Sequence, residues 1–185
     1  MKGCNPLTDS EIKRITNALT CPRDRCLFIL GIYTGFRISE LLSIKVNDIY
    51  GKGGVRKELR VARMYIKGKR ESRSTPVHPD AKPFILEHVK CLTQLHFLFP
   101  SKKGGALDRT SVHKILKTAF NKARVRFSGT HSMRKTFADR IHNALGQDVF
   151  KTQQALGHSR ITSTTAYLSF KDSEISSGIL SIKLK

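Results

Sequence analysis

The sequence predicts an α+β domain that is mainly α, a helical body carrying one small antiparallel β-sheet. Three observations lead there: apolar residues recur at helical spacing along most of the chain, the segment from Glu58 to Val77 alone changes to strand-like text, and no repeat, linker or low-complexity tract divides the sequence. At 185 residues the length suits one domain, residues 1–185, able to take about 70% of its unfolded surface out of water.

The first helix opens where Thr8-Asp9-Ser10-Glu11 reads as a capping box, sets Ile12, Ile15 and Leu19 on one face and stops before Pro22. The next, Arg23 to Tyr33, is almost wholly apolar and belongs inside, with Gly35 suited to its C′ position. A short helix over Phe36 to Leu42 sets Arg37 among apolar neighbours. Leu59-Arg60-Val61 and Met64-Tyr65-Ile66 then read as strand pieces, Lys67 to Glu71 as a hairpin tip and Arg73 to Pro76 as the returning strand. Pro79 and Asp80 open a helix to about Leu95. After the loop SKKGG, a helix from near Thr110 turns Val112, Ile115, Leu116, Ala119 and Phe120 inward. Gly129-Thr130 starts a long helix with a predicted buried stripe of Met133, Phe137, Ile141 and Leu145, closed by Gly146. Asp148 caps another that ends at Leu156-Gly157-His158, Ser163 to Leu168 is a short helix carrying Tyr167, and the tail sets Ile175, Ile179, Leu180 and Ile182 at roughly helical spacing.

Charge narrows the function. Lys and Arg number 34 against 14 Asp and Glu, a net +20 with His neutral, and the 39% of hydrophobic residues puts that charge on a folded body, not on a disordered basic tail. The balance is too lopsided for a typical metabolic enzyme. A field of this sign serves an extended polyanion, because each cation set against a phosphate releases condensed counterions. Nucleic acid is therefore the first expected partner, ahead of a membrane surface and of a merely solubilising charge. No apolar run approaches the ~18 residues of a membrane span, and MKGCNPLTDSE lacks the apolar stretch of a signal peptide, so a soluble cytoplasmic protein is expected. Cys4, Cys21, Cys26 and Cys91 form neither C-x-x-C pairs nor clusters with His; they read as reduced, mostly packing thiols and not as a metal site.

Several residues could carry chemistry. His131 and Arg134 lie three apart near a helix start, so both project from one face where backbone N–H groups and the dipole favour an anion. That is the outline of a phosphate site, or else a capping His and a solvated Arg. Arg37 lies between Gly35 and Ile38-x-x-Leu41-Leu42, where a free cation is expensive unless something negative meets it. A phosphate would do, as would a salt bridge to Glu40 or Asp48. Two buried guanidiniums converging on one phosphate would supply bidentate donors for its oxygens. His158, after Gly157, either caps carbonyls or reaches a ligand. Tyr167 is core, surface or nucleophile: a phenol of pKa about 10 attacks a phosphodiester only beside groups that take its proton and neutralise the phosphate. The departing 5′ oxygen then needs a proton, which a lysine at the hairpin tip, Lys67 or Lys69, can give.

These residues stand in TGFRISELL around Arg37, THSMRKTFA around His131 and Arg134, and LGHSRITSTTAYL from His158 to Tyr167. Jointly, in order and approximate spacing over nearly the whole chain, they resemble the tyrosine recombinase, or phage integrase, family. The resemblance implies the DNA breaking-rejoining enzyme fold and a site-specific recombinase acting on double-stranded DNA. Arg37 and Arg134 would clamp the scissile phosphate and His131 would serve as the accompanying general base or acid. His158 would hydrogen-bond a phosphate oxygen, and Tyr167 would form a 3′-phosphotyrosyl bond while freeing a 5′-hydroxyl. Lys67 is favoured as general acid because it ends a strand and can be directed inward. Lys69 and Arg70 at the tip, with Arg73, Lys135 and Arg160, are expected against DNA, and Glu40 is expected to orient active-site groups. The chemistry implied needs no metal, nucleotide or other cofactor and no small-molecule substrate. A homo-oligomer on DNA, dimer to tetramer, is implied, in a cytoplasmic, nucleoid-associated protein; the tail bearing Ile175, Ile179 and Leu180 either packs into a neighbouring protomer or folds back on its own core.

Most members of the family carry a helical DNA-clamping domain of about 80–100 residues ahead of the catalytic one. This chain begins a turn before the first catalytic helix and is expected to be a naturally minimal member, with affinity drawn from charge and oligomerisation and severe salt sensitivity. Integration or excision of a mobile element, or resolution of dimers, is weighed against a non-catalytic DNA-binding accessory that keeps the fold to occupy sites or block a full-length recombinase, and against a tyrosine-type topoisomerase, which the length disfavours. The discriminating feature is the set Arg37, His131, Arg134, His158 and Tyr167, which a pure binder has no physical need to hold together.

Overall fold

A computed structural model describes residues 4–61, 72–92, 96–126, 128–168 and 180. The capping box forms as expected: Glu11 N–H donates to Thr8 Oγ1, the Thr8 N–H returns to Glu11 Oε2 at 2.9 Å, and α1 runs Asp9–Ala18. Helix α2, Pro22–Thr34, is the axis of the core. Its run from Cys26 to Ile32 is buried throughout and meets Ile15 of α1, Ile85 of α5 (Lys82–Lys90), Leu116 and Phe120 of α6 (Arg109–Lys122) and Met133 of α7 (Thr130–Ala144) in one apolar cluster. Each such side chain fully removed from water contributes about 1.5–3 kcal/mol. Short helices α3 (Ile38–Leu42) and α4 (Val46–Ile49), the latter not foreseen from the sequence, lead into the strands.

Glycines set how closely α7 crosses α2. A Cβ on Gly31 would come within 2.7 Å of Met133 Sδ, and one on Gly35 within 2.2 Å of the Phe137 ring. These are i, i+4 pairs on both helices, so the two lie against one another along matching ridges. Gly35 also ends α2 in the left-handed conformation, φ 58°, which a side chain would strain.

The described residues form two small sheets where one was expected: ahead of the strand text β1 (Tyr50–Gly51) pairs antiparallel with β2 (Gly54–Val55), and within it β3 (Glu58–Val61) pairs with β4 (Arg73–Pro76) in the register Glu58↔Pro76 to Val61↔Arg73. The expected piece Met64 to Ile66 and the tip with Lys67, Lys69 and Arg70 lie outside the described residues. The helix foreseen from Pro79 to about Leu95 begins as a 3-10 turn, Pro79–Ala81, and α5 ends at Lys90.

The face of α7 also differs from expectation. Met133 is buried, but Phe137, Ile141 and Leu145 are only partly so, and the deeply buried positions include Ser132, Arg134 and Thr136. This polar face can be buried because each group finds a partner: Ser132 Oγ accepts from Gly129 N–H, and Thr136 Oγ1 accepts from Leu7 N–H at 2.8 Å. Helix α8, Val149–Leu156, is capped by Asp148 and closed by Gly157, and α9, Ile161–Thr165, stops two residues short of Tyr167, which sits in the following turn. In the tail only Leu180 is described, helical and exposed; Ile175 and Ile179 lie outside. Of the four thiols only Cys26 packs into the core, while Cys21 and Cys91 are exposed, which corrects the packing expectation for those two. Among the described residues no helix is long and apolar enough to cross a membrane.

Candidate active site

The close α2–α7 crossing brings Arg134 to the end of α2, and α8 ends on its other side. Arg134 is 2% exposed. Its Nη1 donates to Gly35 O, and its Nη2 to Leu156 O at 2.8 Å and to His158 Nε2 at 2.7 Å. A guanidinium has five N–H donors and no acceptor, so the imidazole must accept. The ring proton of His158 therefore sits on Nδ1 and points to Thr164 Oγ1 at 3.0 Å. Arg134 Nε is buried and makes no hydrogen bond. Such an orphaned donor costs about 1–3 kcal/mol, a cost an anionic oxygen would remove.

Arg37 is the N-cap residue of α3 and lines the same cleft as Arg134. Its backbone N–H and its Nη1 both bond the Glu40 carboxylate, at 2.8 and 2.9 Å, which leaves its remaining N–H groups at a side chain about one third exposed. Glu40, 1% exposed, also faces Arg73 Nη1 at 3.8 Å. Two guanidiniums thus face one buried carboxylate, whose charge also acts on Arg134. Burial and then the charge of Arg37 lower Arg134 to about 10, and burial and then the charge of Arg134 lower Arg73 to about 10. Both remain charged at neutral pH, so the site keeps a surplus of positive charge.

Tyr167 and His131 complete it. The phenol oxygen lies 3.4 Å from His131 Nδ1, its ring centroid 5.7 Å from the Arg134 guanidinium carbon and 5.4 Å from the His158 ring. His131 is shifted below the usual imidazole range, first by partial desolvation and then by Arg134, Arg109, Lys135 and Arg37. Since the residue as a whole is solvent-exposed, the surrounding cations are the durable part of that shift. A neutral His131 can take a proton from the phenol. A cleft of about 740 Å³ opens beside these groups, lined among others by Arg37, Arg109, His113, His131 and Arg134.

The structure therefore brings Arg37, His131, Arg134, His158 and Tyr167 together, and both readings of Arg37 hold at once: it pairs with Glu40 and still lines the cleft. Lys135 is half-buried behind His131, and Arg160 is exposed at the start of α9. Arg73, expected against DNA, is instead turned inward, 11% exposed, its guanidinium 4.6 Å from the Phe36 ring centroid. It sits across from Val61 in the register, on the face that buries Leu59 and Val61, and that alternation directs it inside. Sequence reasoning missed Arg109, His113 and Thr164. A cation in the first turn of α6 opposes the helix dipole, and that anomaly at Arg109 was the available signal.

The phage integrase family profile matches residues 5–174. The chain is 28% identical to a XerC-like tyrosine recombinase of Caldanaerobacter subterraneus subsp. tengcongensis, over 85% of this chain and 48% of that protein. Among solved structures it is similar to the XerA recombinase, with a TM-score of 0.78 at 22% identity over 97% of this chain and 64% of that one. It is similar also to a lambda integrase tetramer bound to a Holliday junction, with a TM-score of 0.70 at 20% identity over 91% of this chain and 49% of that one. The chain spans about half the length of the curated relatives it matches.

Proposed function

The chain belongs to the phage integrase family, and on that premise we propose that it is the catalytic part of a tyrosine-type site-specific recombinase that cleaves and rejoins double-stranded DNA. The observation that carries this reading is the convergence of Arg37, Arg134, His158, His131 and the Tyr167 hydroxyl on one cleft with surplus positive charge. A phosphodiester seated there meets the open donors of Arg37 and the unused Nε–H of Arg134, and its non-bridging oxygens are stabilised as charge grows on them. When Arg134 re-aims and the ring proton of His158 moves from Nδ1 to Nε2, with the Thr164 hydroxyl then donating to Nδ1, His158 donates to the same phosphate. The Tyr167 oxygen attacks phosphorus, and its proton passes to His131 Nδ1. The bond to the 5′ oxygen breaks, leaving a 3′-phosphotyrosyl ester and a 5′-hydroxyl once that oxygen is protonated; Lys67, or else Lys69, is the proposed donor. One ester replaces another, so a 5′-hydroxyl from a second strand reverses the step without added energy.

Lys69, Arg70, Lys135 and Arg160 are assigned to the DNA backbone, an assignment supported by the net charge of +20. The lambda integrase assembled as a tetramer on a junction supports action as a dimer to tetramer, with the apolar tail residues as the exchanged element. Its substrate places the protein with the nucleoid.

The test is a library of nicked duplexes with randomised half-sites, incubated with protein and scored for SDS-stable adducts. Wild type is expected to give an adduct and Tyr167→Phe none, with equal DNA retention. Absence of any wild-type adduct over the library would remove catalysis and leave a binding module.

A further inference from the structure

The ends of α2 and α8 are joined by a pair of guanidiniums arranged in parallel. Arg134 bonds Gly35 O and Leu156 O, while Arg73 Nη2 bonds Thr34 O at 3.2 Å and Ala155 O. Each arginine thus ties one carbonyl at the end of α2 to one at the end of α8, and the carbonyls are consecutive in both helices. The last four carbonyls of a helix lack partners within it and carry the negative end of its dipole. For α8 all four are accounted for: Gln153 O and Gln154 O accept from His158 N–H and Gly157 N–H at 3.1 and 2.9 Å, Ala155 O accepts from Arg73 and Leu156 O from Arg134. Two residues beyond lies His158.

Arg73 makes this junction from another element. It sits on β4, against Val61 in the last pair of the described hairpin register, and follows in sequence the segment that carries Lys67. Its guanidinium stacks on Phe36, the neighbour of Arg37, and its Nη1 faces Glu40, whose carboxylate holds Arg37. One side chain therefore touches the supports of Arg37, Arg134 and His158 together without itself lining the cleft.

We infer that Arg73 is a positioning residue for the strand-cleavage reaction: it locks the end of α8 to the end of α2, and through that lock fixes the Arg134–His158 pair and the Glu40–Arg37 pair at one mutual distance. The inference rests on the proposed recombinase reading but concerns a residue outside the reacting set. It sets the DNA backbone aside as the partner of this cation, because among the described residues the guanidinium's contacts are with Thr34, Ala155, Glu40 and Phe36.

Two readouts separate it from a mere structural or DNA-binding role, with Arg60→Met, an exposed cation on the neighbouring strand, as control. The first is single-turnover cleavage at saturating protein on a nicked duplex from the adduct library. Arg73→Met is expected to slow adduct formation about 100-fold, the cost of misplacing reacting groups by an ångström or so, with DNA affinity and its salt slope unchanged. Arg73→Lys is expected to recover about tenfold of that loss, since an ammonium reaches fewer of the acceptors at once. The second readout is the imidazole nitrogen NMR spectrum of the free protein. Wild type and Arg60→Met should show His158 neutral with its proton on Nδ1, and Arg73→Met a mixture of tautomers as Nε2 loses its fixed donor. Arg73→Lys supplies the same readouts if Arg73→Met does not fold. Cleavage within about threefold of wild type, or a loss seen entirely in DNA affinity, overturns the inference; so does an unchanged His158 spectrum. A wild type that forms no adduct defeats the recombinase reading alone, because the spectrum needs no DNA.

Discussion

The two sides of the cleft are held by different means. On one side, Arg134, His158 and Glu40 are each below 8% exposure and tied to backbone carbonyls, to Thr164 and to Arg37 by hydrogen bonds of 3.0 Å or less. On the other, Tyr167 follows a five-residue helix and meets His131 across a single 3.4 Å contact at the solvent boundary. The groups to which the proposed reaction assigns the phosphate are thus preorganised by the same packing that makes the core, whereas the proposed nucleophile rests on the edge of the fold. A buried cation site cannot be assembled at the moment of use without large reorganisation, so the fold carries it ready-made. A phenol that has to reach a phosphorus and later release it gains from a looser hold.

That contrast breaks most visibly at Arg134. Replacing it by alanine strips donors from Gly35 O, Leu156 O and His158 Nε2 in the interior. Removing the costly buried cation offsets part of this, and a net loss of about 2–4 kcal/mol is expected, seen as a melting temperature lower by roughly 5–15 °C. Tyr167→Phe should stay within about 0.5 kcal/mol of wild type, because it keeps the half-buried ring and removes only a hydroxyl with one long contact to His131. Both should abolish the DNA adduct. Thermal melts of the two variants side by side decide the matter, and equal stability would mean that the two walls do not differ as described.

Glu40→Gln comes next. The carboxylate faces Arg37 and Arg73 from a side chain that is 1% exposed, and neutralising it leaves like charges together. About 3 kcal/mol should be lost, the usual order for an uncompensated buried ion pair. Millimolar inorganic phosphate should then raise the melting temperature of the variant more than that of wild type, because the anion replaces the missing charge. No phosphate effect in either protein would argue that the cleft does not gather anions.

What the sequence made legible follows the same division. Caps and stops are local chemistry, so Thr8 with Glu11, Gly35 as the end of α2 and Asp148 before α8 could be read directly. The hairpin strands could be read from their alternation. Burial of polar residues by distant partners could not: Thr136 is kept inside by the backbone of Leu7, and Arg134 by Gly35, ninety-nine positions away. A helical period tells which residues share a face of α7, not which face the rest of the chain has prepared to receive. Arg73 was misread for a related reason, since charge was weighed and strand parity was not; its register partner Val61 marks it as inward. The motifs picked out five side chains that the fold brings together, while Arg109 and His113 reach the cleft from a helix that no motif connects to it.

At the solvent boundary the contrast predicts a pH dependence. His131 is held below the usual imidazole value by desolvation and by Arg134, Arg109, Lys135 and Arg37, and only its neutral form accepts the Tyr167 proton. The single-turnover cleavage rate should therefore rise with pH as His131 deprotonates and level off before about pH 6.5, the unperturbed value. Stability has the same sign: in the window just below 6.5 the unfolded chain binds more protons at this site, so stability falls as pH drops through it. His131→Asn should flatten the rate profile and make the stability profile less steep, the remainder there coming from buried His88, which is shifted in the same direction by desolvation. A rate that keeps climbing well above pH 7 would point to direct ionisation of the phenol and remove His131 as base.

The smallest effects belong outside the cleft, at Lys135 and Arg160. Lys135 is half-buried behind His131, while Arg160 stands fully in solvent at the head of α9. If both hold DNA phosphates, each alanine variant lowers the slope of log affinity against log salt by about 0.9 with no change in sequence preference. They should part company in the chemistry. Lys135 adds to the field that keeps His131 neutral, so Lys135→Ala should also move the pH–rate midpoint upward, and Arg160→Ala should leave it in place. Salt titrations and pH profiles on the same duplex test this directly. A midpoint that shifts equally for both would mean that the field at His131 comes from the whole basic surface, and the local arrangement of cations around the imidazole would lose its assigned part in tuning it.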